Sequence, residues 1–443
     1  MTPTRTWWQG SERKMGKISA IKERLLGSKL FKDSFWAVFG NGMGNALFLI
    51  SGIIVARLLG KDVYGEYGLV KSTMFYIAMF ACFGLGTTST KYIANFVQRS
   101  PKDVRSVMRD AMKISLYFSL CISILLVIFA SPLAEYLNKP QLASPLRHLA
   151  VIVIFKALNT TQNGLLAGFK AFKRIAINSM TAGVFMFILC IPLTYFWGIN
   201  GALATLTASQ FFNFVINALS LRKYRAKYKE TRTDFRKELL SFSLPIALQE
   251  GLVSLVNWVA ILMLAKLSST GEVGLYSASI QWNAIVSFIP TLLINVILSY
   301  ITGAFGDKEK HDKIFKTMVT VNVVSTLIPV SVFLLLAPFI VSFYGTTFYG
   351  MENVIRILLI VPIFESCGAI FKAEYIAANK NWWYLGLRLI RDCFMLISSY
   401  LLLRLNQGEN GAMYFAISMA LSAILFFILL ILGYLPIRNQ RKQ

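Results

Sequence analysis

The 443-residue chain is predicted to be an all-α integral membrane protein, with twelve transmembrane helices in two parallel six-helix lobes around a central cavity. Three observations predict this. Hydrophobic residues make up 56% of the chain and charged residues only 15%, where about a quarter charged is usual for soluble domains. Charge-free runs recur along its length, and Lys and Arg fall on alternate connections between them. The first half also echoes the second at nearly one shift, 209–210 residues.

The runs define the elements in order. Residues 175–221 contain no charged residue and no His over 47 positions, whereas one span needs about 20. Trp197-Gly198-Ile199-Asn200-Gly201 in the middle reads as a tight turn, so this run is two helices. Charge-free 273–306 and 317–351 supply one span each, and 114–134 and 411–437 are equally plain. Spans with isolated polar groups lie at 34–59, 69–96, 149–169, 239–265, 354–376 and 382–403. Barrel strands would alternate polar and apolar over about ten residues, which these runs do not.

The bases orient the spans. Connections on one side, starting with the N-terminal tail, carry 33 Lys and Arg. The other side carries 8: Arg57, Lys61, Lys71, Lys139, Arg147, Lys266, Arg356 and Arg404. That asymmetry places both termini in the cytoplasm. The formal charge of +24 follows from the same surplus and a scarcity of acids, so nucleic acid is not an implied partner. The N-terminus carries charges where a signal peptide has an apolar core. Ile18, Ile21, Leu25 and Leu30 instead recur at roughly helical spacing among Lys17, Lys22, Arg24 and Lys29. They suggest a basic amphipathic segment on an anionic lipid leaflet. The five Cys all lie in apolar segments without paired spacing, which predicts inert thiols and no metal site. No cofactor motif is visible: Gly40-x-Gly42-x-Gly44 lacks dinucleotide-loop spacing and reads as close helix packing, and there is no Walker A loop.

At a shift of 209, Ala56-Arg57-Leu58 with Gly65 and Tyr67 matches Ala265-Lys266-Leu267 with Gly274 and Tyr276. At 210, Ala167-Gly168-Phe169-Lys170 echoes Ala377-Ala378-Asn379-Lys380. Six spans per unit give both copies one orientation, a parallel repeat. The expected domains are a basic cytoplasmic segment (1–33), an N-lobe (34–221), a charged cytoplasmic linker (222–238), a C-lobe (239–437) and a tail (438–443). A flexible linker would let the lobes rock about the cavity.

The segment Ala56-Arg57-Leu58-Leu59-Gly60-Lys61-Asp62-Val63-Tyr64-Gly65-Glu66-Tyr67-Gly68 resembles the hallmark closing the first helix of Wzx-like polysaccharide flippases. These belong to the multidrug/oligosaccharidyl-lipid/polysaccharide (MOP) exporter superfamily. Phe83-Gly84-Leu85-Gly86-Thr87 and Lys91-Tyr92-Ile93-Ala94 are similar to that family's second helix. The resemblance implies a non-enzymatic inner-membrane protein that moves undecaprenyl-pyrophosphate-linked oligosaccharide to the outer leaflet for surface polysaccharide synthesis. It also implies a polysaccharide polymerase or ligase as partner, and H+ or Na+ as coupling ion. Two alternatives stay open: a multidrug/cation antiporter of the same superfamily, and a polytopic glycan-modifying enzyme.

A charge inside hydrocarbon costs about 2.5–3.5 kcal/mol on insertion scales and so marks a wet cavity or a partner. Lys156, Asn159, Thr160 and Asn163 fall on one helical face, suited to phosphate and sugar. Glu250, Ser254 and Asn257 share another. Arg388 and Asp392 are i,i+4 partners, which would leave Arg391 free to clamp pyrophosphate. The candidate substrate residues are therefore Lys156, Asn159, Asn163, Asn257, Arg388 and Arg391, and the coupling candidates Glu250 and Asp392. Glu365 and Lys372 share a face and read equally as a pair neutralised through an intervening polar group or as functional residues, and His148 and His311 read as surface residues.

Overall fold

A computed structural model describes residues 29–229, 231, 233–288, 290–291, 308–378 and 380–440. Most of the basic segment expected at 1–33 lies outside the described residues. Among those described, every regular element is helical: α1 Lys29–Cys82, α2 Leu85–Arg99, α3 Val104–Tyr136, α4 Ala143–Gly168, α5 Phe172–Arg225 and α6 Arg236–Leu267. There follow α7 Thr270–Val286, α8 Lys308–Tyr344, α9 Met351–Leu358, α10 Val361–Ala377, α11 Asn381–Leu405 and α12 Gly411–Gln440.

At 1.5 Å per residue a straight 54-residue helix would be about 80 Å long, more than twice the hydrocarbon thickness. Both 54-residue helices break at a glycine. Gly60 has φ 71° and ψ 167°, and Gly198 has φ 55° and ψ −133°, which only glycine adopts without strain. A Cβ on Gly201 would lie 1.8 Å from the Leu193 carbonyl oxygen. Eight helical residues span about 12 Å, so the chain has doubled back at Gly198, as the turn expected at 197–201 requires. The second half of α1 continues into α2 through a kink at Phe83 and Gly84, with φ of 48° and 65°. Among the described residues, eight helical segments are long and apolar enough to cross a membrane. Two of them, those broken at Gly60 and Gly198, hold two spans each, and the order of helices is consistent with twelve crossings.

The repeat is visible as reciprocal contact. A Cβ on Gly65 would meet the Thr270 carbonyl at 1.7 Å, and one on Gly274 the Lys61 carbonyl at 2.1 Å. Adding 209 to 61 and 65 yields 270 and 274, so residue i meets the image of j and j the image of i, as a twofold axis demands. Gly42 beside Phe288 and Gly251 beside Phe80 follow the same relation to within one residue farther along the helices. The axis passes between the second half of α1 and α7. The expected close packing at Gly42 and Gly44 is also present: the latter stands 3.5 Å from Ser179.

On the side carrying few bases the two halves are tied together. Lys139 Nζ donates to the Ala265 carbonyl at 3.1 Å, and Lys266 Nζ donates to the Tyr136 carbonyl. At the other end Thr88 and Ser243 hydroxyls lie 2.7 Å apart, and Lys91 Nζ sits 3.7 Å from the Phe242 ring centroid. The stretch between α5 and α6, expected as a flexible linker, is pinned to α3. Asp103 accepts from the Thr231 and Thr233 hydroxyls, each at 3.2 Å, and Asp110 accepts from the Phe235 amide at 3.0 Å. Beside them the exposed Arg236 guanidinium holds the Asp234 carboxyl down at about 2.

Candidate functional site

A cavity of about 390 Å³ opens between the two halves, walled by α1, α4, α5, α6 and α7. Its polar lining comprises Asn45, Tyr64, Lys71, Lys156, Gln210 and Gln281, among others, and no lining residue is acidic. A pocket of about 170 Å³ continues from it between α1, α4 and α5, sharing Asn45, Lys156 and Gln210 and adding Ser179, Ser209 and Asn213. It too has no carboxylate. Gln281 Nε2 donates to the Tyr64 hydroxyl at 2.7 Å, joining the halves across the cavity.

Lys71 lies about ten residues past the break at Gly60, hence about 15 Å into the helix, where it lines the cavity. Counting it among the bases of the outer connections was wrong, because the helix restarts at residue 61 rather than near 69. Its Nζ stands 4.9 Å from the Phe48 ring and 5.8 Å from the Tyr67 ring. Those ring faces offset only part of the cost of an ammonium in hydrocarbon. Neither Lys71 nor Lys156 has a carboxylate partner among the described residues.

The polar face expected on α4 divides among three neighbours. Lys156 reaches the cavity. Asn159, 2% exposed, donates through Nδ2 to the Gln210 backbone carbonyl at 2.9 Å and side-chain oxygen at 3.1 Å. Asn163 accepts from Asn217 Nδ2 at 3.2 Å, and Asn217 in turn accepts from Asn178 at 2.8 Å. These asparagines join α4 to α5 instead of facing the cavity. Asn257 donates to its own helix at Val253, 2.8 Å away, and lines neither pocket. Glu250 has no ion pair or hydrogen bond among the described residues. It lines neither of these pockets.

The C-terminal candidates occupy a separate pocket of about 160 Å³, lined by Glu365, Lys372, Arg388 and Arg391 among others. Arg391, expected to be the free member, is the better paired. Its Nη1 donates to Asp392 Oδ1 at 3.0 Å, and Nη2 lies 3.6 Å from Glu365. Arg388 stands 3.7 Å from Asp392. Glu365 therefore pairs across to α11, while Lys372 lies over the Tyr384 ring at 5.8 Å. His311, expected at the surface, is buried with Nε2 2.8 Å from Glu374 Oε1, whereas His148 is exposed. All five thiols are free, but Cys121 and Cys393 are exposed rather than buried.

Sequence reasoning missed Lys71, Gln210 and Gln281. The Gly60 break carried a usable signal for Lys71, because an early restart of the helix carries position 71 into the bilayer.

A family model described as polysaccharide biosynthesis protein matches residues 30–302. The chain is 20% identical over 420 residues to the EPS I polysaccharide export inner membrane protein EpsE of Ralstonia solanacearum, covering 92% of this chain and 91% of that one. Its structure resembles the inward-facing conformation of a multidrug resistance MATE family transporter of the MOP superfamily, with a TM-score of 0.76, 16% identity and coverage of 89% and 96%. It also resembles a MOP superfamily transporter from Pyrococcus furiosus, with a TM-score of 0.66, 18% identity and coverage of 95% and 98%. With more than half its length matched, the chain belongs to the polysaccharide biosynthesis protein family, and its fold is that of the MATE-type transporters.

Proposed function

We propose that the protein is a flippase, carrying polyprenyl-pyrophosphate-linked oligosaccharide from the cytoplasmic to the outer leaflet by rocking of its two lobes, split at 222–238. The observation that carries this reading is the pair Lys71 and Lys156 on one acid-free central cavity. A pyrophosphate brings about two negative charges that need cations once water is left behind. A cationic drug would meet repulsion there, which disfavours the antiporter reading. Tyr64, Gln210 and Gln281 supply donors and acceptors for sugar hydroxyls, while the polyprenyl tail stays in lipid. Glu250, without an ion pair among the described residues, would be the coupling acid for H+ or Na+.

The printed name of the Ralstonia relative supports an inner-membrane location and a glycan substrate. The base asymmetry supports cytoplasmic termini. On the outer face the product would pass to a polymerase or ligase. The test is direct: purified protein in vesicles should expose a fluorescent polyprenyl-pyrophosphate oligosaccharide to an external glycan-cleaving enzyme. Efflux of cationic dyes with no glycan movement would overturn the proposal in favour of the antiporter.

A further inference from the structure

A second cavity, about 600 Å³, lies within the N-terminal half, away from the central one. α3 and α5 wall it, and α4 closes its floor. Residues Arg105, Met108, Arg109 and Met112 present one face of α3, following the 3–4 spacing of a helical stripe. Phe214, Ala218, Arg222 and Arg225 do the same on α5. The arginines gather at one end, in the first two turns of α3 and the last turn of α5. From Arg225 the α5 wall runs eleven residues, about 16 Å, to Phe214, and turns wholly apolar beyond Arg222.

No acid lines the groove. Asp110 turns instead to Arg109 and the Phe235 amide, away from Arg222 and Arg225. Arg222 and Arg225 are exposed, and α5 also leaves Phe211 50% and Leu219 57% exposed on the outside of the helix bundle. Gln162, 2% exposed, lies on the floor, and its Oε1 has no hydrogen-bond partner among the described residues. A cationic rim above an apolar slot is complementary to a phosphodiester headgroup whose acyl chain lies along the helices.

We propose that this groove binds an anionic glycerophospholipid of the cytoplasmic leaflet, fixing the N-terminal half in the membrane while the substrate cavity works beside it. The inference does not depend on which glycan, if any, the central cavity carries. Its test is native mass spectrometry of the full chain released from mixed phosphatidylglycerol and phosphatidylcholine bilayers. Wild type should retain phosphatidylglycerol preferentially. Arg222→Gln/Arg225→Gln should lose that preference by about tenfold or more. Ala218→Phe, which fills the apolar slot, should weaken retention with every arginine in place. Lys313→Gln/Lys316→Gln removes two exposed charges on α8 and should change nothing. An unchanged lipid ratio in the arginine variant, or an equal loss in the α8 variant, would overturn the proposal. So would displacement of the lipid by inorganic phosphate or by a polyprenyl phosphate, since the first needs no acyl slot and the second is the carrier itself. Gel filtration and circular dichroism of each variant separate lost binding from lost folding.

Discussion

Gly65 and Gly274, 209 residues apart in the chain, pack against each other's helices, and a Cβ on either would strike a backbone carbonyl of the other repeat. The only side chain that fits at each position is a hydrogen atom. This contact closes one end of the central cavity, on the side with few bases. It is also where both copies of the hallmark meet.

Gly65→Ala and Gly274→Ala should therefore each destabilise the protein by roughly 1–3 kcal/mol, the usual penalty for overpacking. Thermal unfolding in detergent checks this. Gly386 sits within α11 with nothing near its Cβ position, so Gly386→Ala should hold or raise the midpoint. Equal behaviour of all three variants would contradict the packing assignment.

Asn217 links Asn163 to Asn178 across three helical segments. Asn217→Leu should cost about 1–2 kcal/mol, since interhelical hydrogen bonds in membranes are individually modest. Any fall in export should track the amount of folded protein. Normal stability with lost export would return these asparagines to the substrate.

Arg391 is 8% exposed and paired with Asp392, itself 5% exposed. Arg391→Gln strands that carboxylate and should lower stability by roughly 3 kcal/mol. Adding Asp392→Asn should restore folding, because it removes the buried carboxylate, while Arg388 and Glu365, which lose those partners, are more exposed. If Arg391→Gln folds normally and blocks export, the arginine acts on substrate instead.

Much of the fold was legible because lipid imposes coarse rules. Charge-free length, glycine breaks and base asymmetry each report one, and the turn at Gly198 appeared where those rules put it. The site was less legible. Helical spacing put Lys156 and Asn159 on one face but says nothing of what lies opposite, and a difference of three residues was enough to separate cavity from helix interface. Arg391 misled for a related reason. Local spacing offered Asp392 to Arg388, while the backbone placed it closer to Arg391 and brought in Glu365 from α10. Glu374 and His311 are 63 residues apart, and no local pattern announces such a pair.

Rocking of the lobes requires the contacts at each end to break in turn. Thr88 and Ser243 face each other at 2.7 Å between oxygens, at the end assigned to the cytoplasm. In a background with the five native cysteines replaced, oxidised Thr88→Cys/Ser243→Cys should cross-link and stop export, and reduction should restore it. Full export by the cross-linked protein would exclude opening at this contact.

The central claim is that Lys71 and Lys156 together hold an anionic headgroup in the acid-free cavity. The measurement is translocation of labelled lipid-linked oligosaccharide by vesicles holding equal amounts of wild type, Lys71→Gln and Lys156→Gln. Removing one desolvated charge partner costs about 3 kcal/mol, so each variant should move substrate about 100-fold more slowly while keeping its unfolding midpoint. Wild-type translocation by both variants, at normal protein levels, would contradict the account.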